Sequence, residues 1–144
     1  MNYDIKNYAY LGDAVWEIII RKVIIQKTTV QKKMHKISTM FVCAEFQADL
    51  LNIIIPLLNE EEQEVVKRAR NIKLGISKKN NPKIHTLATA FEALIGYLYI
   101  EDKEKFNLFE KVFTEILEEN LWKSMPIFYE AWKKSWKNKN LYIS

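Results

Sequence analysis

The sequence predicts an all-α domain, a bundle of about six to seven helices. Only three glycines and three prolines occur among the 144 residues, which leaves few of the turns that a β-rich fold needs. Apolar residues recur at helical spacing in several long segments, most clearly between Leu11 and Val23. With 49% apolar and 28% charged residues the composition is globular, and the length suits one domain with a sizeable core.

The first three helices are predicted from caps and apolar periods. Asp4 can cap the first helix, and Arg21 and Lys22 suit its C-terminal turns. A short second helix follows, and Ser38 or Thr39 is expected to cap the third. These helices are expected at residues 4–27, about 30–38 and about 39–55.

Three further helices are expected at about 60–71, 86–100 and 103–120. Asn59 followed by three glutamates is a strong helix start, because acids suit the positive N-terminal end. Residues 72–85 lack an apolar period and are predicted to form a long loop. Residues 1–120 are expected to form the domain. The basic, Trp-rich extension 121–144, with a possible short helix at 126–137, is expected to pack on it or flank it.

The basic residues are clustered, although the net charge is only +4. Seven Lys or Arg and no acid lie between Lys67 and Lys83, and six lie between Arg21 and Lys36, again without an acid. Residues 121–144 hold five Lys and one Glu. Such segregation indicates basic faces that meet a polyanion, nucleic acid first, with a merely solvated surface as the alternative.

Several classes of site and location are disfavoured by composition. The single cysteine, Cys43, excludes an intramolecular disulfide and is expected to be a small core residue. His35 and His85 lack a second His or Cys at metal-binding spacing and are expected to face solvent or end a helix. No signal peptide is evident and the apolar runs are too short for a membrane span, which predicts a cytoplasmic protein without membrane contact.

Two acids stand inside apolar helices, each close to a glycine. Asp13 follows Gly12, and Glu92 lies one turn before Gly96. A carboxylate on an apolar face costs free energy unless it is paired, hydrogen-bonded or bound to a metal, and a helical glycine indicates a close backbone approach. We therefore expect two helices to cross at the glycines and to bring both carboxylates around a hard cation such as Mg²⁺. The alternative is that each acid pairs with Lys or Arg and only stabilises the bundle.

Both acidic segments resemble known motifs. Residues 10–15, Tyr-Leu-Gly-Asp-Ala-Val, resemble the first signature of the ribonuclease III catalytic domain, and residues 88–98 resemble its second acidic motif. Residues 68–71, Arg-Ala-Arg-Asn, and the lack of a double-stranded-RNA-binding domain resemble the mini-ribonuclease III branch. The resemblance covers about 5–120. It implies an all-α homodimeric endonuclease that cleaves double-stranded RNA with Mg²⁺, or Mn²⁺ in its place, and leaves 5′-phosphate ends with short 3′ overhangs. For the mini branch it implies maturation of the 23S ribosomal RNA precursor.

The resemblance assigns roles to individual residues. Asp13 and Glu92 match the catalytic, metal-binding acids, whereas the family's other two acids would fall at Ala9 and Thr89. Two of four carboxylates are therefore missing, and Glu17 is either a further ligand or, as we prefer, a partner for a basic residue. The missing acids favour an alternative function as an inactive RNA-binding or scaffold protein. A second alternative is an unrelated helical bundle.

The resemblance and the charge pattern also predict the contact surfaces. Tyr10 matches an aromatic residue that inserts into the partner subunit in the family, while a core or surface tyrosine is the alternative. Duplex RNA is recognised by shape and through its phosphates, so basic residues are the expected contacts. The family pattern supports Arg68, Arg70 and Asn71, and charge alone supports Lys67, Lys73, Lys78, Lys79 and Lys83.

Overall fold

The computed structural model describes residues 1–72 and 81–123, which form six α-helices and one short 3₁₀ helix, with no strand among them. The all-α prediction is confirmed. The helices are α1 (Ile5–Ile24), α2 (Gln31–Val42), α3 (Ala44–Ile54), α4 (Glu60–Arg70), α5 (Pro82–Glu101) and α6 (Lys103–Lys123), with the 3₁₀ helix at Ile55–Leu57. The predicted helix at 126–137 lies outside the described residues, as does all of the extension after Lys123.

Helix α5 is the centre of the fold. It packs against α1, α3, α4 and α6, and its side chains are buried on nearly every side between Leu87 and Leu98. A helix that is apolar all round belongs in the interior, so α5 forms the core around which the other helices are arranged. The rings of Trp16, Phe91 and Phe113 meet edge to face at 5.1–5.6 Å between centroids and join α1, α5 and α6.

Two predicted helix starts are confirmed by their caps. The Asp4 carboxylate accepts a hydrogen bond from the Lys6 N–H at 2.9 Å. Asn59 and Glu62 form a reciprocal capping box, in which each side chain accepts from the other's backbone N–H at 2.9 Å. The Lys105 ammonium of α6 also binds the Glu62 carboxylate, so this buried acid ties α4 to α6.

The boundary between α2 and α3 differs from the prediction. Ser38 and Thr39 lie inside α2, and α3 begins only after Cys43, whose side chain makes no capping hydrogen bond. The Thr39 hydroxyl donates to the His35 carbonyl at 2.8 Å, which satisfies it within the helix. Cys43 is half-buried at this junction, so its prediction as a core residue was wrong.

The start of α5 also differs from the prediction. The helix begins at Pro82, four residues before the expected position, and the Asn81 side chain caps it by accepting from the Lys83 N–H at 3.1 Å. Proline suits the first helical position because the N–H that it lacks has no partner there. Residues 82–85 therefore belong to α5 and not to the predicted loop, and residues 73–80 lie outside the described residues.

Within the described residues, no helix taken singly combines the length and the apolar composition that a membrane span requires. Only α2 joined to the Ala44–Leu57 segment passes that test, as a pair bent by 53°.

Candidate active site

Helices α1 and α5 are in backbone contact where they cross at Gly12 and Gly96. A Cβ atom on Gly12 would lie 1.7 Å from the Glu92 carbonyl oxygen, and one on Gly96 would lie 2.0 Å from the Tyr8 carbonyl oxygen. Neither carbonyl can yield without moving its helix, so only hydrogen fits at each position. The close crossing that the two glycines predict is therefore present, and it places Asp13 beside Glu92.

The two carboxyl groups interact directly at this crossing. The pKa of Glu92 is raised from 4.5 to about 8, first by burial and then by the hydrogen bond and the negative charge of Asp13. The raised pKa means that the two carboxyl groups share a proton around neutral pH, held mainly by Glu92. Glu92 is half-buried, as expected, whereas Asp13 is exposed. The expectation that both acids are buried was wrong for Asp13, whose carboxylate is open to solvent.

Neither acid has a basic partner among the residues that the structure describes. The ion pairs found there join other groups, including Glu17 with Arg21 at 3.5 Å on the exposed side of α1. Glu17 is thus a partner for a basic residue, as we preferred from the sequence. The alternative stated from the sequence was that Asp13 and Glu92 each pair with Lys or Arg and only stabilise the bundle. No such pair is found among the described residues.

The donor set fits a sparsely ligated divalent cation. Two adjacent carboxylates without a positive partner are destabilised, and a cation can replace the proton that they share. Mg²⁺ commonly uses one or two carboxylates and completes its shell with water and phosphate oxygens. In residues 1–72 and 81–123 no third His, Cys, Asp or Glu joins the pair. Ala9 supplies no ligand, and the Thr89 hydroxyl donates to the His85 carbonyl at 3.0 Å.

Three of the predicted RNA-binding residues lie together on one surface. They line an open pocket of about 530 Å³ between α4 and the N-terminal end of α5, together with Thr86. The three residues are Lys67, Arg70 and Asn71. Thr86 precedes Glu92 by six residues, about 9 Å along the helix axis, so the basic pocket and the carboxylate pair share α5.

The other predicted RNA-binding residues lie elsewhere. Arg68 does not line this pocket, and its guanidinium pairs with Glu64 at 3.1 Å on the exposed face of α4. Lys83 is exposed in the first turn of α5. Lys73, Lys78 and Lys79 lie outside the described residues.

Tyr10 lies on the exposed side of α1, three residues before Asp13, with 86% of its surface accessible. It is therefore not a core tyrosine. Few large aromatic side chains in a folded domain are this exposed, and such a ring next to an acid pair is available for contact with another molecule.

Tyr8 is a positioning residue that the sequence analysis missed. Its ring is buried, its hydroxyl donates to Glu101 at 2.7 Å, and the same oxygen accepts from the Asn2 N–H at 2.9 Å. Burial, followed by the hydrogen bond to Glu101, raises the pKa of this hydroxyl. Because the Tyr8 carbonyl contacts Gly96, these bonds hold the crossing in register. The sequence did contain one sign of this role. Tyr8 precedes Gly12 by one helical turn, which puts both residues on the same face of α1.

Comparison with known proteins supports the family resemblance. Residues 6–103 match the Ribonuclease III domain model. The chain is 48% identical over 99 residues to the Mini-ribonuclease 3 of Brevibacillus brevis, covering 67% of this chain and 74% of that relative. It is 42% identical over 116 residues to the Mini-ribonuclease 3 of Clostridium tetani, covering 78% and 77%. A crystallised protein of Fusobacterium nucleatum superposes with a TM-score of 0.72 at 33% identity, over 83% of this chain and 94% of that one.

Proposed function

Because this chain belongs to the ribonuclease III domain family and is an endoribonuclease of that type, we propose that it hydrolyses double-stranded RNA at the Asp13–Glu92 pair. The observation that carries the proposal is the contact at Gly12 and Gly96, which brings two acids from distant parts of the chain together without a basic partner among the described residues. An acid pair of this kind is poorly suited to holding a bundle together and well suited to binding a cation.

Asp13 and Glu92 would hold Mg²⁺, with Mn²⁺ as a substitute. When bound, such a cation supplies a nucleophilic water of lowered pKa and stabilises charge on the phosphate. Glu92 has to release the proton that it shares with Asp13 before both carboxylates can act as ligands. The Asp13 carboxylate is exposed and is the member of the pair that faces incoming RNA. Glu92 is half-buried on α5. Products carry 5′-phosphate and 3′-hydroxyl ends with short 3′ overhangs.

Binding is proposed to depend on phosphate contacts. The pocket that Lys67, Arg70 and Asn71 line lies along α5 from the acid pair. With Gln63 it presents two cations and two amides, and no acid is among the described residues that line it. A-form RNA is recognised by shape and through its phosphates and 2′-hydroxyls, which suits such a surface. Arg68 and Lys83, which lie outside the pocket, are proposed as weaker contacts, and Lys73, Lys78 and Lys79 are proposed on charge alone.

A homodimer is proposed as the active form. The nearly free ring of Tyr10 beside Asp13 is the surface available for insertion into a second copy. A C₂ dimer would present two acid pairs to a duplex that is itself nearly two-fold, so that each pair cleaves one strand.

The RNA substrate is proposed to be the 23S ribosomal RNA precursor, acted on in the cytoplasm. The support is the similarity to Mini-ribonuclease 3 proteins over more than two thirds of their length.

The test is cleavage of a panel of RNA duplexes, including the ends of the 23S precursor, by purified protein with Mg²⁺ and with EDTA. We expect cleavage only with Mg²⁺ and complete loss in Asp13→Asn. Asp49→Asn is the matched control and should retain activity, because Asp49 is an exposed aspartate on α3 that does not line the basic pocket. Cleavage by Asp13→Asn would refute the site. Tight binding without cleavage by the wild-type protein would favour the inactive RNA-binding alternative.

A further inference from the structure

An open groove of about 430 Å³ separates α1 from α2 and is distinct from the basic pocket at α4. Glu17, Arg21 and Ile24 are among the residues that line it on α1, and His35, Ser38 and Thr39 are among those on α2. The floor is apolar and the walls carry hydroxyl, imidazole and guanidinium groups. None of the functions assigned above uses this groove.

The groove lies on the same side of α1 as the acid pair. Asp13, Glu17 and Arg21 follow one another at four-residue intervals, which places them along one side of a helix at steps of about 6 Å. Glu17 and Arg21 line the groove, so it begins about one helical turn beyond Asp13 and continues away from it. A polymer held at Asp13 and extended along α1 would therefore enter the groove.

The rim of the groove on α2 is basic and lacks acids. Lys32 and Lys36 are exposed and lie within about 60° of Thr39 on the helical surface, next to the groove wall. Neither has an ion-pair partner among the described residues. Lys33, equally exposed, lies about 120° from Thr39 on the helical surface, further from the groove wall than Lys32 or Lys36. No acid among the described residues therefore neutralises the positive charge of Lys32 and Lys36 beside the groove.

The hydrogen-bonding groups in the groove suit a ribose better than a further protein element. The Ser38 hydroxyl has no hydrogen-bond partner within the part of the chain that the structure describes. The Thr39 oxygen uses its proton on the His35 carbonyl, which leaves its lone pairs available to accept. The minor groove of A-form RNA displays 2′-hydroxyls between its phosphates, and these donate and accept.

We propose that the α1–α2 groove is a second RNA-binding surface that receives the sugar–phosphate backbone of the duplex beyond the scissile phosphate. Lys32 and Lys36 contact phosphates at its rim, and Ser38 and Thr39 contact 2′-hydroxyls inside it. The Arg21–Glu17 ion pair is exposed and therefore weak. An RNA phosphate can replace Glu17 as the partner of the Arg21 guanidinium at little cost in free energy. This inference rests on the proposed function, because it assumes that duplex RNA binds at Asp13.

The test measures RNA affinity at several salt concentrations in an Asp13→Asn background, where the duplex is not consumed. Each lost phosphate contact lowers the slope of log affinity against log salt by about 0.9, so Lys32→Gln/Lys36→Gln should lower it by about 2. Lys33→Gln, a change on the same helix but further from the groove wall, is the matched control and should leave the slope unchanged. A second arm replaces ribose by deoxyribose on one flank of the cleavage site. Wild-type affinity should fall on this replacement, whereas the affinity of Ser38→Ala/Thr39→Val, which lacks both proposed 2′-hydroxyl contacts, should not change.

The outcomes separate this proposal from the proposed function. If the wild-type protein cleaves, Asp13→Asn does not, and Lys32→Gln/Lys36→Gln has the same salt slope as Lys33→Gln, then the groove proposal alone is wrong. If the wild-type protein neither binds nor cleaves any duplex, the proposed function itself is wrong. A reduced slope in Lys32→Gln/Lys36→Gln only, together with insensitivity of Ser38→Ala/Thr39→Val to deoxyribose, would support the groove.

Discussion

Glu62 and Glu92 are two glutamates withdrawn from solvent in the same bundle, and their surroundings differ completely. Glu62 is 1% exposed, accepts from the Asn59 N–H and binds the Lys105 ammonium. Glu92 faces a second carboxylate, that of Asp13, and has no basic partner among the described residues. The Glu62 carboxylate, which stabilises the fold, has a cation and an N–H donor as partners. The Glu92 carboxyl keeps a proton instead. The absence of a basic partner among the described residues distinguishes the Glu92 site from the Glu62 site, and it is why we propose a ligand there.

The largest expected difference between the two sites is in catalysis. Glu92→Gln should lower the single-turnover cleavage rate about a thousand-fold or more, equivalent to about 4 kcal/mol, because it removes one of two carboxylates able to bind a cation. Glu62→Gln should change the rate less than three-fold, an estimate of about 0.6 kcal/mol, once folding is verified. The measurement is cleavage of a labelled duplex with Mg²⁺. Equal losses in the two variants would remove the distinction between the sites.

The second largest effect is expected from substitutions at the helix crossing that creates the Glu92 site, and it should appear in the stability of the protein. Gly12→Ala or Gly96→Ala places a methyl group within 2.0 Å of a carbonyl oxygen, so α1 and α5 must separate. We expect a loss of about 3 kcal/mol in the free energy of unfolding, typical of an overpacked core. Denaturant titration measures it. A stable Gly12→Ala protein with normal cleavage would show that the contact is dispensable.

The Glu62 site should show the cost of leaving a buried acid unpaired. Lys105→Met removes the cation that binds Glu62 and should destabilise the protein by about 2 kcal/mol, somewhat below the usual range because Lys105 is partly exposed. Adding Glu62→Gln should restore much of that loss, since no charge is then left unpaired. Thermal melts of the single and double variants check this. A simple sum of the two losses would mean that the pair is not coupled.

The smallest expected effect is the pH dependence of stability from Glu92. Its folded pKa of about 8 exceeds the unfolded value of 4.5, so the folded state binds more protons in that window. Stability without cation should therefore fall as the pH rises from about 4.5 to about 8, and Glu92→Gln should abolish this fall. Raising the pH from 4 to 9 should therefore increase the free energy of unfolding of Glu92→Gln relative to wild type by about 1 kcal/mol. This value is reduced to allow for the partial exposure of Glu92.

Melting curves in EDTA at several pH values test the dependence. Glu62→Gln is the control, because the Lys105 ammonium already offsets the Glu62 charge. Parallel stability curves for wild type and Glu92→Gln would contradict the raised pKa. Adding Mg²⁺ to the wild-type protein at pH 9 should restore stability, because a cation replaces the lost proton.

Much of the site was predictable because its residues break the local pattern. An acid and a glycine inside an apolar helix are costly, so Gly12, Asp13, Glu92 and Gly96 each require a cause outside their own helix. Paired with the family motifs, they predicted the crossing. Tyr8 was not predictable in this way, because a buried tyrosine fits an apolar stripe and only its hydroxyl bond to Glu101 shows its role.

Helix boundaries were predictable where a single side chain decides them. Asn59 with Glu62 specifies the start of α4 through a local capping box, which depends on four consecutive residues. Ser38 and Thr39 have the same capping chemistry, yet both lie inside α2. Their hydroxyls can also be satisfied within a helix, and the buried ring of Phe41, which packs on the core, extends α2 past them.

The sequence by itself determined the all-α class, the family and the two acids with their glycines, because these depend on residue type and on spacing along the chain. Only the tertiary structure decided that Asp13 is exposed while Glu92 is half-buried, and that Lys67 and Arg70, but not Arg68, line the basic pocket. Helical spacing states which residues share a face. Which neighbour covers that face, and hence which charge is neutralised and which is left for a ligand, depends on how the helices pack.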